Sequence, residues 1–314
     1  MSQNRHIASV VLNYNSADDV DAILPQLLAQ VGIQHSIIVV DNASQSDQAA
    51  KLKDVFSNHC TSGYILSSQQ ILEVCKSELT TNCYLVMNDD NRGYSAGNNV
   101  GVMMAAELQC DAILIVNPDI RIDNITYIAE LSKQLFLTPK VVMAGSAIYN
   151  LAGENENPMQ EPSFIEELLW PVTMLLKAVS TRSGYGCIDK SKSEESIIYI
   201  ADKLSGSCFL ISSKFLKEID FFDEGVFLYC EESILSSRIK DLGLKIVYNG
   251  HLSARHMHDA SVKGDQFRRL SIWSSSRRYF LENYSGYGYF SRLMLGASRN
   301  VWLMMIYLKK VLRR

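Results

Sequence analysis

Along its first 120 residues, this chain alternates short, uninterrupted apolar runs with segments of helical spacing. The apolar runs are IASVVLN, SIIVVD, CYLVM and DAILIV. Strands that are apolar on both faces are typical of parallel sheets, because the crossover between two parallel strands lays a helix over the sheet. The pattern therefore predicts an α/β fold with parallel strands and with helices on both faces of the sheet.

Polar residues end three of these predicted strands. Asn13 closes the first run, Asp41 closes the second, and Asn117-Pro118-Asp119 closes the fourth. Ligands of open α/β sheets bind beyond the carboxyl ends of the strands. A proline ends a strand ladder, and a carboxylate beside it must find solvent, a partner or a metal. One such end alone is more simply a turn, but three together predict a nucleotide pocket.

A glycine-rich stretch, NRGYSAGNNVG, leads into a helix with small residues and contains Gly93, Gly97 and Gly101. It matches neither the GxGxxG dinucleotide motif nor the P-loop. A helix N-terminus that a ligand can approach closely does bind phosphate, so the stretch remains a candidate phosphate site.

The composition favours a globular cytoplasmic protein. A chain of 314 residues can bury the core of one large domain or two small ones. Its seven cysteines are scattered and never spaced CxxC, which favours reduced thiols over a disulfide framework or a structural zinc site. The chain begins directly with a strand-like run, so we expect no signal peptide. Basic and aromatic residues are not interleaved in the N-terminal part, which argues against nucleic-acid binding.

The net charge of −4 conceals a basic C-terminal segment. From Lys263 onward the chain has eleven Lys and Arg residues and two acidic ones, among Leu, Met, Trp, Ile and Tyr. The longest uncharged stretch there, residues 300–308, is too short to cross a bilayer. The segment predicts either a helix lying in the interface of an anionic membrane, or a helix docked on the domain or on a second subunit.

Six motifs occur in a recognisable order: VVLNYN, IIVVDNAS, NRGYSAGNNVG, LIVNPDI, GSCFLISSKFLKEIDFFDEGVFLYCEE and ARHMHDAS. In sequence and order they resemble the family 2 glycosyltransferases, above all the rhamnosyltransferase-like members that act on bacterial cell-surface polysaccharides. The resemblance covers about residues 5–260. It implies a GT-A fold, which is an α/β fold with a Rossmann-like nucleotide-binding half and a mostly parallel mixed sheet. It also implies a nucleotide-diphosphate sugar donor, a divalent metal and an inverting transfer.

The resemblance also implies roles for individual residues. Asp119 and His256 would hold a Mg²⁺ or Mn²⁺ ion, with His258 as the competitor of His256. Asn117 replaces the first aspartate of the family's DxD motif. The residues implied to contact the donor are Asn13, Asn15, Asp41, Asn91, Gly93, Asn98, Asn117, Asp119 and Arg238. Asp41 would accept a hydrogen bond from the imide N–H of the base, which uracil and thymine share.

The acidic pair Glu231-Glu232 matches the family's catalytic segment. Neighbouring residues on a helix point about 100° apart, so only one of the two would take the proton of the acceptor hydroxyl. Glu232 stands where relatives usually have aspartate, and Ile234 stands where another acid often follows. The alternatives are a pair that only stabilises a helix N-terminus, and a catalytically weakened partner in a polysaccharide assembly complex.

The resulting interpretation is a GT-A domain at residues 1–262, followed by a basic amphipathic helical tail at 263–314. Residues 1–122 would form its nucleotide-sugar half and residues 123–262 its acceptor half. The predicted reaction moves a sugar, by resemblance rhamnose from dTDP-rhamnose, onto a glycan or polyprenyl-diphosphate-linked acceptor of O-antigen-like polysaccharides. We expect a protein peripheral to the inner face of the cytoplasmic membrane. Another UDP- or dTDP-sugar, a homodimer, and a pocket, lid or dimer role for residues 150–203 stay open.

Overall fold

The computed structural model describes residues 5–71, 81–173, 197–258 and 266–312. Two stretches on which sequence predictions rest lie outside these described residues. They are part of the polar middle, 174–196, and the segment 259–265 that completes the ARHMHDAS motif. For residues 266 and 309–312 only the backbone is described.

A mixed sheet of ten strands runs through the described residues. Its strands are β1 (His6–Asn13), β2 (Gln34–Asp41), β3 (Tyr64–Ser67), β4 (Cys83–Met87), β5 (Ala112–Val116), β6 (Ile120–Arg121), β7 (Val141–Tyr149), β8 (Ile198–Ala201), β9 (Cys208–Ser212) and β10 (Lys245–His256). Their order is β3-β4-β2-β1-β5-β9-β7-β10-β6, with β8 paired to β10. Strands β3, β4, β2, β1 and β5 are mutually parallel, and β9 enters antiparallel between β5 and β7.

Helices cover both faces of the sheet. They are α1 (Ala17–Leu28), α2 (Ser46–His59), α3 (Tyr94–Glu107), α4 (Tyr127–Leu135), α5 (Phe164–Leu168), α6 (Ser213–Glu218), α7 (Glu231–Asp241), α8 (Gln266–Asn283) and α9 (Tyr289–Leu312). One core packs α1, α2 and α4 on one face, around Leu24 and Phe56. The other packs α3, α6 and α7 on the opposite face, around Phe215 and Leu235. The predicted α/β fold with a mostly parallel sheet is confirmed.

The central strands are apolar throughout because they contribute to both cores. In β2, Ile37 and Val39 face one core, and Ile38 and Val40 face the other, each at most 1% exposed. Burying such a side chain is worth roughly 1.5–3 kcal/mol, so every position of the run favours burial. This arrangement explains why the strand signal in the sequence is continuous and not alternating.

Strand β3 was not predicted, since it lies at the edge of the sheet and half of it faces solvent. Tyr64 and Ile65 are each 43% exposed. The sheet continues past residue 122, because β7, β9 and β10 extend it without a break. The boundaries proposed at residues 122 and 262 stay predictions.

The C-terminal helices pack against α5 and the turn that follows it. The three tryptophans of the chain form one cluster, with ring centroids 5.1 Å apart for Trp170 and Trp273, 5.7 Å for Trp170 and Trp302, and 5.6 Å for Trp273 and Trp302. Helix α9 is therefore docked on its own chain through one of its faces. Among the described helices, none has both the length and the apolar character of a membrane span.

A buried ion network ties α8 to the polar middle of the chain. Arg277 is 4% exposed and donates to Glu167 at 2.6 and 3.0 Å and to Glu161. Lys203 donates to Glu161 at 2.6 Å, and Glu161 also accepts from Ser233 on α7 at 2.7 Å. Buried charges persist when each has a partner of opposite sign. The network therefore holds α5, α7 and α8 in one arrangement.

Candidate active site

The turn after β5 brings Asp119 to the end of β10. The Ile120 N–H donates to the Asn117 carbonyl at 3.1 Å, which reverses the chain after the strand. Strand β6 then pairs antiparallel with β10, so that Ile120 lies opposite His256. The Met257 N–H donates to the Asp119 carbonyl at 2.8 Å. This short pairing explains why an aspartate follows the apolar strand, since it places Asp119 beside His256.

Asp119, His256 and His258 form a cluster whose candidate ligand atoms all lie within 4.8 Å of one another. His256 Nε2 is 3.4 Å from Asp119 Oδ1, and His258 Nδ1 is 3.6 Å from Asp119 Oδ2. One carboxylate and two imidazoles are a donor set that suits a divalent transition-metal ion. The two histidines that the sequence left as competitors therefore face the same carboxylate.

Glu156, which follows β7, was missed as a site residue. Its Oε2 shares a hydrogen bond with His256 Nδ1 at 2.8 Å, which leaves Nε2 directed at Asp119. A carboxylate in this position orients metal-binding histidines. Burial lowers the pKa of His256, but Asp119 and Glu156 outweigh burial and raise that pKa to about 9. A cation bound at Nε2 would therefore replace a proton.

The carboxylate of Asp41 is held at the carboxyl ends of β1 and β2. Asn13 Nδ2 donates to Asp41 Oδ1 at 2.8 Å, and Ser44 Oγ donates to the same oxygen at 2.5 Å. The Ser44 N–H donates to Asp41 Oδ2 at 3.2 Å. A carboxylate has about four acceptor directions, so these bonds leave one on Oδ2. The predicted neighbours Asn13 and Asp41 are thus in direct contact.

Two left-handed residues shape the rim of this pocket. Asn15 has φ 55° and Ala43 has φ 59°, conformations that are uncommon for residues other than glycine. Asn15 Oδ1 accepts from the Gln45 N–H at 2.8 Å, and its own N–H donates to Ser44 Oγ at 2.8 Å. Such conformations concentrate at ligand sites, where the surrounding hydrogen bonds hold them in place. Asn15 therefore positions the rim of the pocket through its backbone and side chain.

Asn42, buried beside Asp41, connects the pocket to the glycine-rich loop and was also missed. Its Nδ2 donates to Asn91 Oδ1 at 3.0 Å and to the Gly93 carbonyl at 3.2 Å. Gly93 has φ 102°, and a Cβ there would lie 2.2 Å from the Phe227 carbonyl oxygen, so the position requires glycine. The Tyr94 N–H donates to that same carbonyl at 2.8 Å. The first N–H of α3 thus already has a hydrogen-bond acceptor within the protein.

Two other residues predicted to contact the donor have side chains that bond to nearby backbone. Arg238 donates to the Phe221 carbonyl at 2.7 Å and to the Ile219 carbonyl, where it closes the loop after α6. Asn98 is 1% exposed, and its Nδ2 donates to the Tyr94 carbonyl within α3. Both residues therefore support local structure, because their side chains are directed at the backbone of their own neighbourhood.

Glu232 faces the loop that precedes β9. Its Oε1 accepts from the Gly206 N–H at 3.2 Å, and the Tyr94 hydroxyl donates to the Gly206 carbonyl at 2.6 Å. The next carbonyl in the loop, that of Ser207, accepts from the Asn117 N–H at 2.8 Å. Two of these hydrogen bonds, at the Gly206 N–H and at the Ser207 carbonyl, thus connect the Glu232 carboxylate through the loop to the turn after β5.

Glu231 points into the interior instead. It lines a cavity of about 10 Å³ together with Ser95, Asp223 and Arg238, and its Oε1 has no hydrogen-bond partner among the described residues. Burial, and next the charge of Glu232, raise the pKa of Glu231 to about 8. At neutral pH a proton therefore stays on Glu231. Like charges held this close cannot both ionise freely.

The backbone before this pair is constrained. Tyr229 has φ 74° and Cys230 has φ 69°, two consecutive left-handed residues immediately before α7. Each costs about 1–3 kcal/mol unless the surroundings enforce it. The Leu228 carbonyl accepts from Ser276 Oγ of α8 at 2.7 Å, which helps to hold the segment. Tertiary contacts therefore set the direction in which the first turn of α7, with both glutamates, begins.

We expect the stability of Glu231→Gln relative to the wild type to be higher at a pH of about 9 than at a pH of about 5. A carboxyl whose pKa is raised on folding contributes its full stability below the unfolded pKa and loses it as the pH rises through about 8. Glutamine cannot ionise and so escapes that loss. Thermal unfolding at the higher pH should give a midpoint a few degrees above wild type. The exposed Glu218→Gln is the matched control, and an equal pH dependence in all three proteins would contradict the expectation.

The strand order, the helices on both faces and the carboxylate-histidine cluster beyond the strand ends are those of a GT-A fold. The chain matches no protein-family profile. It is 21% identical over 234 residues to the low-salt glycan biosynthesis hexosyltransferase Agl10 of Haloferax volcanii. The match covers 72% of this chain and 59% of the length of that relative.

Three solved structures share the fold. The mannosyltransferase PcManGT from Pyrobaculum calidifontis, in complex with GDP-Man and Mn²⁺, has a TM-score of 0.56 and 13% identity, over 96% of this chain and 70% of that one. GalNAc-T7 with UDP, GalNAc and Mn²⁺ has a TM-score of 0.55 and 12% identity, over 99% of this chain and 58% of that one. TarS of S. aureus in complex with UDP has a TM-score of 0.51 and 14% identity, over 92% of this chain and 69% of that one. At these identities the similarity establishes the fold.

Proposed function

We propose that this protein is a metal-dependent inverting glycosyltransferase that uses a nucleotide-diphosphate sugar. The observation that carries the proposal is the Asp119-His256-His258 cluster that follows β5. In the sheet, β1 separates β5 from β2, at whose carboxyl end Asp41 lies, and β9, which follows the loop that contacts Glu232, pairs with β5 on its other side. The names of the similar proteins support it, since they describe a hexosyltransferase, and a mannosyltransferase and GalNAc-T7 with their sugars and Mn²⁺.

The proposed donor carries uracil or thymine. Asp41 retains one acceptor direction on Oδ2, which could receive the imide N–H that both bases present. Asn13 and Ser44 hold the carboxylate in place for that contact. Rhamnose as the sugar, and dTDP-rhamnose as the donor, rest on the resemblance of the motifs alone.

The proposed cation is held by Asp119, His256 and His258. Two imidazoles beside one carboxylate form a softer set than the oxygen ligands that Mg²⁺ prefers, so the donor set favours Mn²⁺. When bound, the cation would neutralise the charge that develops on the departing nucleoside diphosphate. Glu156 would keep His256 in the orientation that presents Nε2.

Glu232 is the proposed general base. It would take the proton of the acceptor hydroxyl while that oxygen forms a bond to the anomeric carbon and the bond from that carbon to the diphosphate breaks. Attack from the face opposite the diphosphate inverts the anomeric centre. Glu231 keeps a proton at neutral pH, so it is the less suitable acceptor for the proton of the hydroxyl. The Gly206 N–H fixes one Glu232 oxygen, so its carboxylate is directed toward the turn after β5.

The function is tested by thermal unfolding with a panel of nucleotides and nucleotide sugars, with Mn²⁺, with Mg²⁺ and with a chelator. UDP or dTDP with Mn²⁺ is expected to raise the midpoint by a few degrees, because a ligand at about 100 times its Kd adds about 2.7 kcal/mol. GDP and ADP are expected to have little effect. Hydrolysis of the matching sugar donor would separate an enzyme from a catalytically weakened partner. A panel in which no nucleotide gives a metal-dependent shift would refute the proposal.

A further inference from the structure

Helix α9 has two faces of different character. Its inner face packs on the chain through Leu295 and Arg299, which are 1% and 8% exposed, and through Trp302 in the tryptophan cluster. Ser298 Oγ donates to the Leu168 carbonyl at 2.7 Å. These contacts determine which side of the helix is turned outward.

The outward side is an uninterrupted apolar stripe. We call it the outer face of α9, and it consists of Phe290, Leu293, Met294, Ala297, Val301, Met304 and Leu308. Its large side chains are between 46% and 78% exposed. At 100° and 1.5 Å per residue, the seven positions fall within an arc of about 100° and extend over about 27 Å. An apolar stripe of this size on a surface helix indicates a contact that is made with something else.

Other exposed apolar side chains lie on the segment that packs beside α9. Ile165 of α5, and Leu169 and Val172 after it, are 64%, 46% and 51% exposed on the segment that packs beside α9. Tyr289 and Tyr307, near the two ends of the stripe, are 67% and 51% exposed. Tyrosine is enriched where apolar groups meet lipid headgroups, because its ring is apolar and its hydroxyl is polar.

The charge of the C-terminal segment favours one occupant of the outer face. The seven residues of that face include no charged side chain. The segment from Lys263 onward has eleven basic residues and two acidic ones, and of these basic residues Arg277 and Arg299 are buried. An apolar face on a strongly basic segment complements an anionic lipid surface, where apolar burial and electrostatic attraction add. Two copies of this chain packed through the same face would bring two basic segments together, and their repulsion opposes such a dimer.

We propose that the outer face of α9 lies in the interfacial layer of a membrane that contains anionic lipids. Side-chain contacts connect α9 to the candidate active site, and the role that we assign to this connection rests on the proposed function. Trp302 packs on Trp273 of α8, and the next turn of α8 holds Leu228 through Ser276, three residues before Glu231. The membrane would therefore orient the acidic pair toward an acceptor that stays in the lipid layer.

The test is vesicle flotation of the full chain. The vesicles are phosphatidylcholine alone, or phosphatidylcholine with about one third phosphatidylglycerol, at low and high salt. The wild type is expected to float with the anionic vesicles at low salt and to be largely released at high salt. The double variant Leu293→Gln with Val301→Gln should reduce the bound fraction at least ten-fold. The matched control is Leu137→Gln with Leu242→Gln. It also replaces two exposed aliphatic side chains by glutamine, but away from α9, and it should float as the wild type does.

Two further measurements keep the outcomes distinct. The molar mass in solution without lipid is expected to be that of one chain. A dimer that the α9 double variant dissociates, with no flotation of the wild type, would overturn the proposal and assign the outer face to a second copy. Equal flotation of both double variants would also overturn it. The Mn²⁺-dependent rise of the unfolding midpoint on adding nucleotide should be the same in the wild type and in both double variants. If the wild type shows no such rise but still floats with anionic vesicles, the proposed function is rejected and the membrane contact is retained.

Discussion

Glu232→Gln is expected to lower the rate of sugar transfer by about 10²–10⁴-fold, the usual effect of removing a general base. Glutamine has nearly the same shape, and its oxygen can still accept from the Gly206 N–H. The loop before β9 should therefore keep its position, and donor affinity should stay within a few-fold of the wild type. The measurement is the single-turnover rate with saturating donor and Mn²⁺, paired with a nucleotide titration.

Glu231→Gln serves as the control for that result. Because Oε1 of Glu231 is buried and the residue keeps a proton at neutral pH, the amide replaces a neutral group, and we expect at least a tenth of the wild-type rate. The reverse order, with Glu231→Gln inactive and Glu232→Gln active, would assign the base to Glu231. Near wild-type rates in both variants would show that the acidic pair only stabilises the start of α7.

The second large effect is expected at the metal cluster. Asp119→Asn removes the only carboxylate of the cluster formed by the described residues, and a cation held by two imidazoles alone would bind weakly. We expect Mn²⁺-dependent nucleotide affinity to fall by about 100-fold or more, the upper range seen when a metal site loses a supporting group. The fold should survive, because the hydrogen bond from Met257 to residue 119 uses the backbone carbonyl. Calorimetric titration of nucleotide with Mn²⁺ and with chelator measures the effect.

Asp123→Asn is the matched control for this variant. Asp123 lies just after β6 and pairs with Arg255 of β10 at 3.0 Å, but its carboxylate is exposed and is not part of the Asp119-His256-His258 cluster. The control should bind nucleotide with wild-type affinity and the same dependence on Mn²⁺. His256→Ala and His258→Ala then measure the contribution of each imidazole. Unchanged Mn²⁺-dependent affinity in Asp119→Asn would remove the assignment of Asp119 as a ligand.

The parts of the fold that follow from local pattern were predictable from the sequence. A strand buried on both faces requires an apolar side chain at every position, so β1, β2, β4 and β5 each left a continuous apolar run. Their carboxyl ends meet at one edge of a parallel sheet, so the pattern of strands alone places Asn13 and Asp41 together. Edge strand β3 gave a weaker pattern, because solvent on one side relaxes the demand for apolar residues.

Contacts between distant segments could not be predicted in this way. His256 meets Asp119 only because β10 pairs with β6 in one register, and Glu156 reaches His256 because the chain after β7 folds back. The different surroundings of Glu231 and Glu232 depend on the left-handed residues before α7 and on the packing of α3 and α8. The outer face of α9 is likewise defined by which side the tryptophan cluster covers. The sequence thus determined the layers of the fold and the polar strand ends, since these follow from the burial of each strand. Tertiary packing alone decided which side chains meet, because register and helix rotation depend on contacts across the whole chain.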